Sequence, residues 1–313
     1  MRLAIALTLS AAALAFAGQS SAQRAAAPFT VVETGQGYRS LDDAVEAIMN
    51  DTGTILIQPG VYRDCTVQIA GNVTYKAAVP GQVVFDGGTC EGKAASVLRG
   101  TSAVVDGIVF RNMRVPDGNG AGIRLEIGTL AVRNSMFLDS EEGILAGEGP
   151  KSVTIDQSSF AGLGRCDRGL SCAHAVYIGN IDSVKITRSR FERGTGGHYV
   201  KLRAKRVEVS DSSFDDSAGR GTNYMIDLPA GSTGQITGNT FVQGKDKENW
   251  TGFIVVAAEA QDNPSTGLTV RGNTASLAPG AKTGTSWVAD YSGDRLQIAD
   301  NQLSDGIRAF ERR

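Results

Sequence analysis

The chain has 313 residues, and its 31 basic side chains nearly balance 33 acidic ones. This excludes the global charge bias expected of a nucleic-acid or membrane-surface binder. With 41% hydrophobic residues the chain can build a core, but no stretch beyond its first residues approaches the roughly 20 consecutive apolar positions that span a bilayer.

Arg2 is followed by an apolar run from Leu3 to Ala17 and then by Ser20-Ser21-Ala22. This pattern predicts a signal peptide over 1–22 with cleavage before Gln23, and a mature protein of the periplasm or medium, free of the membrane. Four cysteines suit such a compartment, and their spacing predicts disulfides Cys65–Cys90 and Cys166–Cys172. Neither pair has the CxxC spacing or histidine neighbours of a zinc site.

Ser40-Leu41-Asp42-Asp43-Ala44-Val45-Glu46-Ala47-Ile48 reads as an amphipathic helix with Ser40 at its N-cap and Leu41, Ala44, Val45 and Ile48 on one face. Such a helix would cover the open end of the core. A strand Thr54-Ile55-Leu56-Ile57 follows it, then Pro59-Gly60-Val61-Tyr62.

From residue 104 onward a six-residue phrase recurs: Val105 to Phe110, Val132 to Phe137, Ile155 to Phe160, Ile186 to Phe191, Val209 to Phe214, Ile236 to Phe241, Val270 to Ala275 and Ile298 to Leu303. Ser or Asn in its fourth position, as at Ser189, Ser212, Asn239, Asn273 and Asn301, suits a tight turn. A second strand register follows each phrase, centred on Ile123, Ile144, Val176, Val200, Ile226, Val255 and Val288. Strand-rich repeats with periods of about 20 to 50 residues and no helix between strands predict an all-β solenoid, a parallel β-helix. The reading is one domain over 23–313, expected to be monomeric.

The opening helix with "GTILIQPGVY" and the later V-x-I-x-x-S-x-F phrases resemble the pectate-lyase-like superfamily of right-handed parallel β-helix proteins. That resemblance implies the fold and leaves the activity open, because the fold hosts lyases, hydrolases, esterases, epimerases and binding spikes.

Equivalent positions on adjacent rungs stack about 4.8 Å apart, and alternate residues face opposite ways. Aligning the second register places Tyr177, Lys201 and Asp227 in one outward column, with Tyr199 and Arg203 beside Lys201 and with Arg124 and Glu126 two rungs before Tyr177. The only two histidines, His174 and His198, begin this strand in consecutive rungs. The loops 161–173 and 243–252, the latter with Lys245, Lys247 and Trp250, lead into the same face and would raise a cleft around it.

A cleft carrying His, Tyr, Lys and Arg suits an acidic polysaccharide. β-Elimination at a uronic acid needs a cation to neutralise the carboxylate, a base for the C5 proton and an acid for the leaving oxygen. Lys201, Arg203 or Arg124 would neutralise, His198 or Lys201 would be the base, and Tyr177, Tyr199 or His174 the acid. Arg124, Tyr199, Asp227, Lys245 and Trp250 are the expected substrate contacts. The segment "HYVKLRAKRVEVSDSSF" resembles the lysine-bearing rung of alginate and dermatan lyases of this fold, which implies Lys201 as base, although Asp227 stands where those enzymes place an arginine.

No cofactor is expected; calcium would be the one candidate, but the carboxylate cluster of pectate lyases is missing, and the two histidines lack a third metal ligand. Asp227 stands alone in its column, against a hydrolase with paired acids. Two alternatives remain: C5 epimerisation of a uronan, and glycan binding without chemistry, for which Tyr199, Met225 and Trp287 would serve as outward stacking surfaces.

Overall fold

The recurring phrase bends in its middle. Its third residue takes the left-handed conformation at Asn134, Gln157, Arg188, Asp211 and Asp300, with φ between 46° and 53°, and glycine stands there at Gly107, Gly238 and Gly272. The side chain of the fourth residue then accepts the backbone N–H of its counterpart one turn earlier: Ser135 N–H to Ser158 Oγ at 3.3 Å, Ser212 N–H to Asn239 Oδ1 at 2.9 Å, Asn273 N–H to Asn301 Oδ1 at 3.1 Å. This ladder satisfies donors that the bend removes from the sheets.

Because of that bend each turn has three strands, not the two read from the sequence. The protein, a computed structural model describing residues 27–313, is a parallel β-helix with sheets of 12, 10 and 10 strands. The first sheet collects the strands before each bend, such as Ser183–Thr187, the second those after it, such as Arg190–Glu192, and the third the separate register, such as Val200–Leu202. The expected signal peptide and its cleavage position lie outside the described residues.

The helix Leu41–Glu46 has Ser40 as N-cap, accepting the Asp43 N–H, and buries Leu41, Ala44 and Val45. It closes the N-terminal end together with an antiparallel pair, Phe29–Val31 and Gln36–Tyr38, that the sequence reading did not find. Among the described residues no helix is long and apolar enough to cross a membrane. Both expected disulfides are present, Cys65–Cys90 and Cys166–Cys172.

One column of the core is aromatic. Phe85, Phe110, Phe137, Phe160, Phe191, Phe214 and Phe241 stack with ring centroids 4.7 to 5.7 Å apart, the rung spacing itself. Ala275 ends the column, and Trp287 from the third sheet fills the space, its ring 4.9 Å from Phe241. Trp287 and Met225 are fully buried and Tyr199 is 2% exposed, so none is the outward stacking surface expected of them. They lie where the chain turns into the third sheet, and there strict inward and outward alternation does not hold.

Truncating a ring in mid-column leaves a cavity that neighbours on both sides are too constrained to fill. Phe191→Ala should lower the unfolding free energy by about 3 to 5 kcal/mol, measured by chemical denaturation, whereas the same change at exposed Phe310 should stay within about 0.5 kcal/mol.

Candidate active site

Along the outer face of the third sheet, Arg124, Leu145, Tyr177, Lys201 and Asp227 occupy consecutive rungs in register. Just before the strand start, His174 and His198 are neighbours, with ring centroids 4.8 Å apart and their Nδ1 atoms 3.2 Å apart. The His198 backbone N–H donates to His174 Nδ1 at 3.0 Å. That nitrogen is therefore an acceptor, and on its other side the His198 ring brings Nε2 to 3.4 Å from Asp227 Oδ2. Burial, with Lys201 adding to it, pushes the His174 pKa down to about 3. Burial followed by His174 and Lys201 takes His198 well below the usual range too. Both rings are neutral at physiological pH.

Lys201 is 7% exposed. Its ammonium donates to Asp227 Oδ2 at 3.0 Å and to Glu259, whose other oxygen takes a hydrogen bond from Arg203. Arg203 Nε in turn donates to the Tyr177 hydroxyl oxygen at 3.1 Å. Burial disfavours the charged lysine, yet Asp227 and Glu259 outweigh it and hold its pKa above the ordinary value. Asp227 is raised to about 6 by burial, against the pull of Lys201. Lys201 is thus an ammonium ion, and the Tyr177 oxygen is held by the Arg203 guanidinium.

These groups line a cleft of about 620 Å³, walled on one side by Ser171 and Cys172 of the disulfide loop and on the other by Glu259. The structure brings His174, Tyr177, His198, Lys201, Arg203 and Arg124 together there. Asp227 is 2% exposed beneath Lys201, so it supports the lysine instead of contacting substrate as expected. Tyr199 points away: its hydroxyl donates to buried Asp216 at 2.8 Å and accepts the Gly194 N–H at 3.0 Å. Trp250 lines a separate recess with Lys282 and Arg308, and neither it nor exposed Lys245 borders the cleft, because the 243–252 loop folds away from it. Lys247, from the same loop, is buried against Asp216 at 3.1 Å.

Two acidic residues of the cleft escaped the sequence reading. Glu142 occupies the position of His174 and His198 one rung earlier, as the pairing of Ile144 with Val176 and Val176 with Val200 requires. Extending that column by one rung would have found it. Glu259 follows the strand Gly252–Val256 after a left-handed Ala257 and returns across two rungs, which no periodicity encodes. Among the described residues one group of potential metal donors gathers, Cys166, Cys172 and Glu248, but both sulfurs are spent in the disulfide.

A family model described as "right handed beta helix region" matches residues 105–303. No curated protein matches the chain. Among solved structures, an alginate lyase from Paenibacillus sp. str. FPU-7 is 17% identical with a TM-score of 0.68, covering 87% of this chain and 94% of its own. A PL6-family alginate lyase is 15% identical with a TM-score of 0.47, covering 85% and 39%. The A-module of an Azotobacter vinelandii mannuronan C-5 epimerase is 13% identical with a TM-score of 0.35, covering 87% and 91%. At these identities the likeness is one of fold.

Neutral buried histidines tie stability to pH. An unfolded histidine binds a proton below about 6.5, whereas folded His174 resists it down to about 3, so stability is intact above the unfolded value and drains away as pH falls below it. Unfolding free energy should drop by up to about 1.4 kcal/mol per pH unit from His174 between those limits. A His174→Gln variant measured by urea denaturation at pH 7 and 4.5 should show a flatter dependence.

Proposed function

The chain belongs to the right-handed β-helix family, and we propose that within it the chain is an exported lyase that cuts a uronic-acid polysaccharide by β-elimination. The observation that carries this reading is the in-register pair of Tyr177 and Lys201 at the floor of the cleft, bridged to Arg203 through Glu259. Glu259 places a carboxylate between an ammonium and a guanidinium. A substrate carboxylate can take that position, because Glu259 sits on a loop and its side chain is 46% exposed.

With a uronate carboxylate held there, its negative charge is neutralised and the C5 proton becomes acidic. Lys201 needs no change of protonation for this role, whereas acting as base would require it to shed a proton that Asp227 and Glu259 hold in place. Tyr177 is then the group left to exchange protons with the sugar: as a phenolate, which the Arg203 Nε–H hydrogen bond stabilises, its oxygen takes the C5 proton, the C4–O bond breaks as the C4–C5 double bond forms, and the phenol so formed gives that proton to the departing glycosidic oxygen. His174, stacked 5.6 Å from the Tyr177 ring, fixes that ring without competing for the proton, since its own basicity is suppressed. The fold likeness to an alginate lyase makes alginate the first substrate to test, followed by glucuronan, pectate and glycosaminoglycans.

The assay follows ultraviolet absorbance of the unsaturated uronate product. Tyr177→Phe should lose about 10²- to 10⁴-fold in kcat, the range for a general acid–base group. Lys201→Ala should lose about 10²- to 10³-fold, while Lys201→Arg, which keeps the charge but cannot act as a base, should retain activity within about tenfold of the parent. Equal collapse of both lysine variants would instead make Lys201 the base. Absence of product on every uronan, with altered C5 configuration detected by NMR, would turn the reading to epimerisation.

A further inference from the structure

Two polar atoms in the cleft wall have no hydrogen-bond partner: Glu142 Oε2 and Arg124 Nε. Glu142 is 2% exposed, and its other oxygen accepts the His174 backbone N–H at 3.4 Å. Arg124 lies one rung earlier. Its nearest carboxylate oxygen, Glu126 Oε1, is 3.9 Å away and already takes a hydrogen bond from Lys93 at 2.9 Å, while Glu126 Oε2 takes one from Arg99. An orphaned buried donor beside an orphaned buried carboxyl is costly in a free protein unless something fills the space between them.

We propose that Glu142 and Arg124 form a second sugar subsite, which holds the uronate residue next to the one acted on: Arg124 pairs with its carboxylate and Glu142 hydrogen-bonds a ring hydroxyl. The inference rests on the lyase reading of the cleft. Arg124 and Glu142 stand two rungs and one rung before Tyr177, about 5 to 10 Å along the axis, the reach of an adjoining sugar in a chain laid along the cleft. Burial raises Glu142 well above the usual carboxyl range, against the pull of the His174 N–H and Arg124. That direction favours the neutral acid, which can donate as well as accept and carries no charge to repel an anionic chain.

The test is steady-state kinetics of the full-length protein on the uronan it cleaves. Arg124→Gln and Glu142→Ala should each raise KM about tenfold with kcat within about twofold, the pattern of lost uniform binding. Glu142→Gln keeps one donor and one acceptor, so it should hold KM near the parent value. Thermal unfolding of each variant separates a lost contact from a lost fold, and Arg124→Gln, at the surface of the wall, carries the test if Glu142→Ala does not fold. An active parent whose variants keep the parental KM overturns the subsite and leaves the lyase reading intact, and so does a fall in kcat alone. A parent that neither cleaves nor binds alginate, glucuronan, pectate or glycosaminoglycans overturns both.

Discussion

Everything in this molecule hangs on the parallel stacking of rungs at about 4.8 Å, which forces each side chain to live with its counterparts above and below. Apolar counterparts gain from this, and the phenylalanine column at the second sheet is the result. Polar counterparts gain only if donor meets acceptor, which the Ser and Asn ladder at the bend achieves by pairing each side-chain oxygen with a neighbouring backbone N–H. Charged counterparts are the hardest case, since like charges directly opposite repel. On the outer face of the third sheet the order phenol, ammonium, carboxylate at Tyr177, Lys201 and Asp227 meets that condition.

Among the described residues two lysine–aspartate pairs are buried, and they differ in what lies around them. Lys247 and Asp216 are sealed: Tyr199, Thr222 and Gly244 complete the hydrogen bonds of the aspartate, and neither side chain is more than 1% exposed. Lys201 and Asp227 sit at the floor of an open cleft, with Asp227 below and the half-exposed Glu259 above. Burying a charge is tolerable only with a partner. Asp227 supplies the permanent one, which in the proposed function lets the position above Lys201 pass from Glu259 to an incoming carboxylate while the lysine stays charged.

The sequence was most legible where it repeats. The solenoid, the capping helix over Leu41–Glu46, both disulfides, and the column of Tyr177, Lys201 and Asp227 all follow from local pattern, because parallel rungs turn spacing along the chain into distance in space. The pairing of His174 with His198 followed from the same rule, and Glu142 was within its reach.

Legibility ended at the corners and in the loops. The sequence by itself determined that the chain coils, which residues share a column and where histidines, lysine and tyrosine meet, since those depend only on register. Tertiary structure alone decided that the phrase bends into two strands, that Tyr199, Met225 and Trp287 turn into the core, that the loop with Lys245 and Trp250 leaves the cleft, and that Glu259 comes back to it. The physical reason is common to all four: at a corner or in a loop the direction of a side chain is set by backbone angles and by which buried partner it can satisfy, and neither is periodic.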